Sequence, residues 1–209
     1  MSSVLVVTSS ALGAASVSTE LVLDTVRRLT LKDPETSVVT RDLGASPIPH
    51  LTLDSATAIR GGEPANPAQA EARDLSDTLV AELKAADTIV IGAPMYNFGM
   101  ASTLKAWFDH VLRAGVTFRY TETGPEGLLK GKRAIVVESR GGLYSEGPAQ
   151  AMDAQEPHLR TLLGFVGITD VTFIRAEKLA FGPEARSQAI DAAKAAIAAA
   201  VNEGTRLAA

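Results

Sequence analysis

Cysteine is absent from this 209-residue chain, which removes disulfides, thiolate nucleophiles and cysteine-ligated zinc from consideration. Aromatic residues are scarce, 5% of the total with a single tryptophan, so a cluster of them carries information. Basic excess is missing as well: 20 Lys and Arg stand against 24 Asp and Glu, a formal charge of −4. The chain lacks the basic field that draws polyanions, so neither nucleic acid nor an anionic membrane is an expected partner. No apolar run reaches the roughly 20 residues that span a bilayer. Met1-Ser2-Ser3-Val4-Leu5-Val6-Val7 lacks the basic start and long apolar stretch of a secretion signal, and a cytoplasmic protein is expected. The composition that remains is 46% hydrophobic and 21% charged, which supplies a full core.

Strand-like and helix-like segments alternate along the chain. Strand-like segments at Val4 to Thr8, Ser37 to Asp42, Thr88 to Ala93, Arg133 to Ser139 and Val171 to Ala176 predict five strands, the third of them a short apolar, partly β-branched run. Turn-spaced apolar residues predict helices over Ser18 to Leu29, Ala68 to Ala85 and Ala101 to Arg113. A fourth helix is expected over residues 150–165, although Pro157 falls within it, and Pro183 and Gly204 bracket an alanine-rich last helix. Residues 44–66 are rich in Pro, Gly and short polar groups, a long excursion with one helical turn near Ser55 to Arg60. It reads as a lid, a dimer arm or a surface loop. Five β-α units without repeats or a linker argue for one α/β domain over residues 1–209. The expected architecture is a doubly wound five-stranded parallel sheet in the order 2-1-3-4-5.

In such sheets ligands bind outside the carboxyl ends of the strands, and three strand ends here are unusual. After the first strand comes the hydroxyl-rich Thr8-Ser9-Ser10-Ala11-Leu12-Gly13-Ala14-Ala15-Ser16-Val17-Ser18-Thr19, then a helix. A helix N-terminus with free amides seats phosphate; Ser16 or Ser18 serves equally as an ordinary N-cap. The loop has neither Gly-x-Gly-x-x-Gly nor Gly-Lys-Ser/Thr, so a dinucleotide pyrophosphate and a Walker site are excluded here. The third strand is read as stopping at Pro94, followed by Met95-Tyr96-Asn97-Phe98-Gly99. This is flat apolar surface with an amide, fit for a planar heteroaromatic ring, or else a packed turn. Ser139-Arg140-Gly141-Gly142 ends the fourth strand. Paired glycines there allow backbone N–H groups to reach a ligand, and serve equally in a tight turn. One ligand satisfies all three loops: a phosphorylated ring system with the outline of flavin mononucleotide (FMN).

Longer strings then become recognisable. They include Arg41-Asp42-Leu43 with Pro47-Ile48-Pro49, Ala93-Pro94-Met95-Tyr96-Asn97-Phe98, and Ala114-Gly115-Val116-Thr117-Phe118-Arg119-Tyr120-Thr121-Glu122. Gly124-Pro125-Glu126-Gly127-Leu128, Ser139-Arg140-Gly141-Gly142 and Leu163-Gly164-Phe165-Val166-Gly167-Ile168-Thr169-Asp170 follow in order. On these the chain resembles the FMN-dependent NAD(P)H:quinone and azo reductases of the flavodoxin-like superfamily, of the bacterial azoreductase type. The resemblance implies non-covalent FMN. Ser10, Ser16, Val17 and Ser18 would hold its phosphate. Met95, Tyr96, Asn97, Phe98, Ser139, Arg140, Gly141 and Gly142 would hold its ring. It also implies a homodimer with two interfacial sites, in which Tyr120 and Phe165 match positions that roof the flavin of the other subunit.

The implied activity is ping-pong. NADH or NADPH reduces FMN and leaves, and a quinone or azo compound then takes two electrons in the same place. Hydride chemistry belongs to flavin N5, so no side chain is assigned a catalytic role and no metal is expected. His50, His110 and His158 lack partners at catalytic spacing and read as surface or packing residues. Leu143-Tyr144 follows the glycine pair where some members carry a histidine. Arg140 and Arg60 are both candidates to meet the 2′-phosphate of NADPH or to sit in surface pairs. The competing function is a flavodoxin-like electron carrier with no turnover of its own. Carriers of that kind are strongly acidic around the flavin, and −4 over this length is mild.

Overall fold

The computed structural model describes residues 2–203. Its strands are β1 (Ser3–Thr8), β2 (Ser37–Asp42), β3 (Thr88–Tyr96), β4 (Gly99–Met100), β5 (Phe118–Thr121), β6 (Gly124–Gly127), β7 (Arg133–Ser139) and β8 (Asp170–Ala176). Its helices are α1 (Val17–Lys32), α2 (Leu53–Arg60), α3 (Pro67–Ala85), α4 (Ser102–Val111), α5 (Glu156–Phe165) and α6 (Pro183–Glu203). The parallel sheet runs β2-β1-β3-β7-β8. Counting parallel strands alone, this is the expected 2-1-3-4-5. β4 only folds back on β3, and β5 with β6 forms a separate antiparallel hairpin.

The middles of the central strands are apolar because both of their faces are covered. Successive residues point to opposite faces. Val4, Val6, Val90, Ile135 and Val137 therefore pack against α1 and α6 through Leu21, Val22, Ala193 and Ile197. Leu5, Val7, Ile89, Ile91 and Val136 face the other way, onto Leu79, Leu83, Leu104, Trp107, Phe108, Leu159 and Leu163. β1 and β3 lie side by side with helices leaving on opposite faces, and the ligand crevice of a doubly wound sheet opens at that switch point.

The structure corrects several boundaries. β3 does not stop at Pro94 but continues to Tyr96. Pro94 shares the parity of Gly92, whose carbonyl accepts from the Ser9 hydroxyl at 2.8 Å. Pairing with β1 has already ended, with Thr8 opposite Gly92, so the missing N–H of Pro94 removes no ladder bond. The helix expected over residues 150–165 is a 3-10 turn (Pro148–Met152) followed by α5. Pro157 lies in the first turn of α5, where no N–H is needed. The Asp153 carboxylate accepts from the amides of Gln155 and Glu156 at 2.9 and 3.1 Å. α4 ends two residues early because the Thr117 hydroxyl donates to the Val111 carbonyl at 2.7 Å and accepts from the Arg113 amide. The excursion at residues 44–66 contains all of α2, opened by a Thr52/Ser55 capping box and tied to α3 by the Arg73 guanidinium on the Ala58 carbonyl. Gly204 lies outside the described residues.

Candidate functional site

The three unusual strand ends meet. A cleft of about 230 Å³ is walled by Ser10, Ser16 and Val17 from the first loop, Met95 and Tyr96 from the end of β3, and Ser139, Arg140 and Gly141 from the end of β7. A second cleft of about 420 Å³ lies across Tyr96, lined by Asn97, Gly44, Met100 and the start of α4. The Tyr96 phenol straps the first loop to β3. Its oxygen accepts from the Ala11 amide at 3.0 Å and lies 3.3 Å from the Ser10 hydroxyl. Ser10 in turn accepts from the Leu12 amide at 3.2 Å.

Ser16 is the N-cap of α1. Its buried hydroxyl accepts from the Thr19 amide at 3.2 Å and sits 3.0 Å from the Ser18 hydroxyl. The capping role therefore accounts for the Ser16 side chain. The next two amides, Val17 and Ser18, have no acceptor among the described residues. They are the orphan donors of a 16-residue helix, at its positive end.

Asn97 and Phe98 form the two-residue turn between β3 and β4, with φ of 49° and 72°. Left-handed geometry at both positions is that of a type I′ hairpin turn. Asparagine tolerates it, whereas phenylalanine is strained there. Both amides are without acceptors among the described residues. So are the amides of Gly141 and Gly142, while the carbonyls of these two glycines accept from Ala180 and Lys178. Neither glycine has positive φ, and a Cβ on Gly141 would meet only the Ala180 methyl, at 3.6 Å. Backbone conformation therefore does not demand glycine at Gly141. What the three loops have in common is a set of six N–H groups without acceptors among the described residues, of which Val17, Asn97 and Gly141 belong to residues that line the two clefts, an arrangement that receives a phosphate at one end and the acceptor edge of a planar ring at the other.

Comparisons with known proteins give the family. The model of the flavodoxin-like fold family matches residues 2–201. Over 198 residues, covering 95% of each chain, the sequence is 60% identical to the FMN-dependent NADH:quinone oxidoreductase of Hyphomonas neptunium. It is 51% identical over 197 residues, 93% of this chain and 95% of the relative, to the protein of that name in Ralstonia nicotianae. The chain belongs to the flavodoxin-like family of FMN-dependent NADH:quinone oxidoreductases. Among solved structures, an azoreductase from Bacillus anthracis superposes with a TM-score of 0.89 at 28% identity, over 97% of this chain and 100% of that one.

Within this oxidoreductase family fold, one expectation about an individual residue changes. The Arg140 side chain does not face solvent or a dinucleotide. It is fully buried and turned inward, donating to Gln155 at 3.1 Å, Glu138 at 2.8 Å and Glu177 at 3.2 Å. Only its backbone contributes to the cleft wall, so it is no candidate for a 2′-phosphate. Gln155 passes this network on to the Ala93 carbonyl at 2.8 Å, behind the Met95 loop. Tyr120 and Phe165, in turn, line neither cleft of their own chain. They meet on Phe118, with ring centroids 5.6 and 4.6 Å away, and Tyr120 is 73% exposed.

Tyr144 lays its ring against Phe98 edge to face and covers Gly142. No histidine lines either cleft. His110 is buried, with Nε2 at 3.0 Å from the Pro49 carbonyl, and burial depresses its pKa despite that bond. Sequence reasoning missed Leu179, Ala180 and Arg186, which close the cleft from beyond β8. The signal available was position alone: they too follow the carboxyl end of a strand.

Proposed function

We propose that this chain is an FMN-dependent oxidoreductase that takes two electrons from NADH and delivers them to quinones and azo compounds. The observation that carries the reading is the rim of six free amides drawn from three separate loops. In this reading the Val17 and Ser18 amides, with the hydroxyls of Ser10 and Ser18, hold the FMN phosphate at the positive end of α1. The amides of Asn97, Phe98, Gly141 and Gly142 meet the polar edge of the ring, where they stabilise negative charge as it develops. The Tyr96 and Met95 side chains offer it a flat apolar wall. Bound FMN supplies the two-electron chemistry at its ring, and the protein supplies position, dryness and electrostatics. With no titratable side chain on the cleft wall apart from Tyr96 and Arg186, protons for the product come from solvent.

The same reading makes the protein a homodimer with ping-pong turnover. Tyr120 supports the dimer: it is a large aromatic exposed on a hairpin that stands off the sheet and serves no cleft of its own chain. Anaerobic mixing of the purified yellow protein with NADH, and separately with NADPH, tests the assignment. Bleaching of the flavin absorbance by NADH, followed by recovery on adding a quinone, is expected. A protein that binds no FMN on titration overturns the cofactor assignment. A flavin that both NADH and NADPH leave oxidised makes the protein an electron carrier instead. Sedimentation at micromolar concentration tests the dimer.

A further inference from the structure

The first turn of α6 reaches the rim that carries Ser10, Ser16 and Val17, and it brings a side chain with no other explanation. Arg186 lines the cleft at this end. Its side chain is exposed and makes no hydrogen bond or ion pair with any described residue. The acids nearby have other partners: Glu184 accepts from Gln188, and Glu20 of α1 pairs with Lys194 at 2.8 Å. A cation in the first turn of a helix opposes the helix dipole and is unfavourable there by itself. Neither pairing nor helix electrostatics accounts for an arginine at this place. A dianion in the cleft accounts for both its position and its lack of a partner.

We propose that Arg186 contacts the phosphate of FMN from the α6 side, opposite the amides of α1, and so sets the preference for FMN over uncharged riboflavin. This rests on the FMN reading above. Guanidinium is permanently charged and matches phosphate geometry with paired donors. A phosphate monoester is close to doubly charged at neutral pH. The serine hydroxyls and amides of the first loop recognise the phosphate by direction, and Arg186 adds the only full positive charge among the described residues that wall this cleft with an exposed side chain.

Titration of apo-protein with FMN and with riboflavin, followed by flavin fluorescence, tests the assignment. Arg186→Ala should weaken FMN by about tenfold, the size of one exposed charge pair acting on a dianion, and leave riboflavin within about twofold. Raising salt to about 0.5 M should weaken FMN binding to the wild type and change the variant much less. Arg186→Lys should restore part of the FMN preference, because the charge returns without the fork. Equal weakening of both flavins in Arg186→Ala, or an unchanged ratio between them, overturns the proposal. A wild-type protein that binds neither flavin overturns the cofactor reading itself.

Discussion

Replacing Glu138 by Gln should abolish a loss of stability that the wild-type protein suffers as pH rises through neutrality. Glu138 lies on β7 without solvent exposure. One carboxylate oxygen accepts from Arg140 at 2.8 Å and the other has no partner among the described residues. Around Arg140 are Asp153 at 3.1 Å and Glu177 at 3.2 Å, with Glu156 alongside, bound by Arg160 and Arg175 at 2.6 Å each. The carboxyls Glu138, Asp153, Glu156 and Glu177 number four, against three guanidiniums on Arg140, Arg160 and Arg175. One carboxyl is short of a cation, and the least solvated one keeps its proton. Burial drives Glu138 up to about 8, against the pull of Arg140, with Glu156 and Asp153 adding to the rise. Burial also opposes ionisation of Glu156, yet its bonds from Arg175 and Arg160 outweigh that and hold it at about 2.

The sign of the pH effect follows from proton counting. A carboxyl raised above its unfolded value of 4.5 keeps a proton that the unfolded chain has lost, so stability falls from about pH 4.5 to about 8. Glu156 does the reverse, but its contribution is complete by pH 4.5. His110, lowered by burial, adds stability only as pH rises to its unfolded value of 6.5. Between pH 6.5 and 8 the Glu138 contribution therefore stands alone among these groups. That interval is one and a half tenfold steps in proton activity, each worth about 1.4 kcal/mol, or ~2 kcal/mol in all. For a domain of this size the melting temperature should drop by about 4–8 °C. Glutamine keeps an acceptor for Arg140 and cannot ionise, so Glu138→Gln should melt at nearly the same temperature at both pH values. Calorimetry on both proteins decides it. A variant that shows the wild-type slope across this interval refutes the assignment of the buried proton to Glu138.

Two further substitutions probe the rim. A Cβ on Gly44 would lie 2.1 Å from the Ser10 carbonyl oxygen, so Gly44→Ala should push the first loop outward. About 1–3 kcal/mol of stability and about tenfold in FMN affinity should be lost, read by thermal melting and flavin titration. Phe98 holds φ of 72°, and Phe98→Gly should relieve about 1 kcal/mol of backbone strain. The apo-protein should then melt no lower than wild type while retaining FMN less well; a large fall in apo stability would show that the ring packing outweighs the strain.

The sheet was legible because both of its faces are buried. Val4 to Val7, Ile89 to Ile91 and Ala134 to Val137 are apolar without alternation, and that pattern fits a central parallel strand. The hairpin of β5 and β6 was not legible. Gly124, Pro125 and Gly127 read as loop residues, yet Gly127 is glycine because its Cα packs on the backbone of Val166 and Gly167, where a Cβ would fall 2.1 Å from the Gly167 nitrogen. That approach joins residues 40 positions apart, beyond the reach of local pattern. The three rim loops were found because each immediately follows a strand, and position did the work that motif did not. Arg140 was misjudged for the opposite reason. Its partners Gln155 and Glu177 come from distant segments, so nothing beside it in the sequence marks it as buried.

These elements share one arrangement: the costly features lie at the rim or directly behind it. Strain sits at Asn97-Phe98. The buried charges sit around Arg140, whose own backbone forms the cleft wall. Gln155 carries that cluster to the Ala93 carbonyl, and the Tyr96 phenol carries β3 to the first loop. Amides left without acceptors would destabilise a buried surface, but Asn97, Phe98 and Gly141 are exposed, and there water satisfies them until a ligand replaces it. The framework thus holds the donors in place before anything binds, and binding need not order three separate loops. The same logic explains why the site has use for a tyrosine at position 144. Tyr144 packs on Phe98 and Gly142, so its contribution is to shape the rim, a task that needs bulk and not a proton.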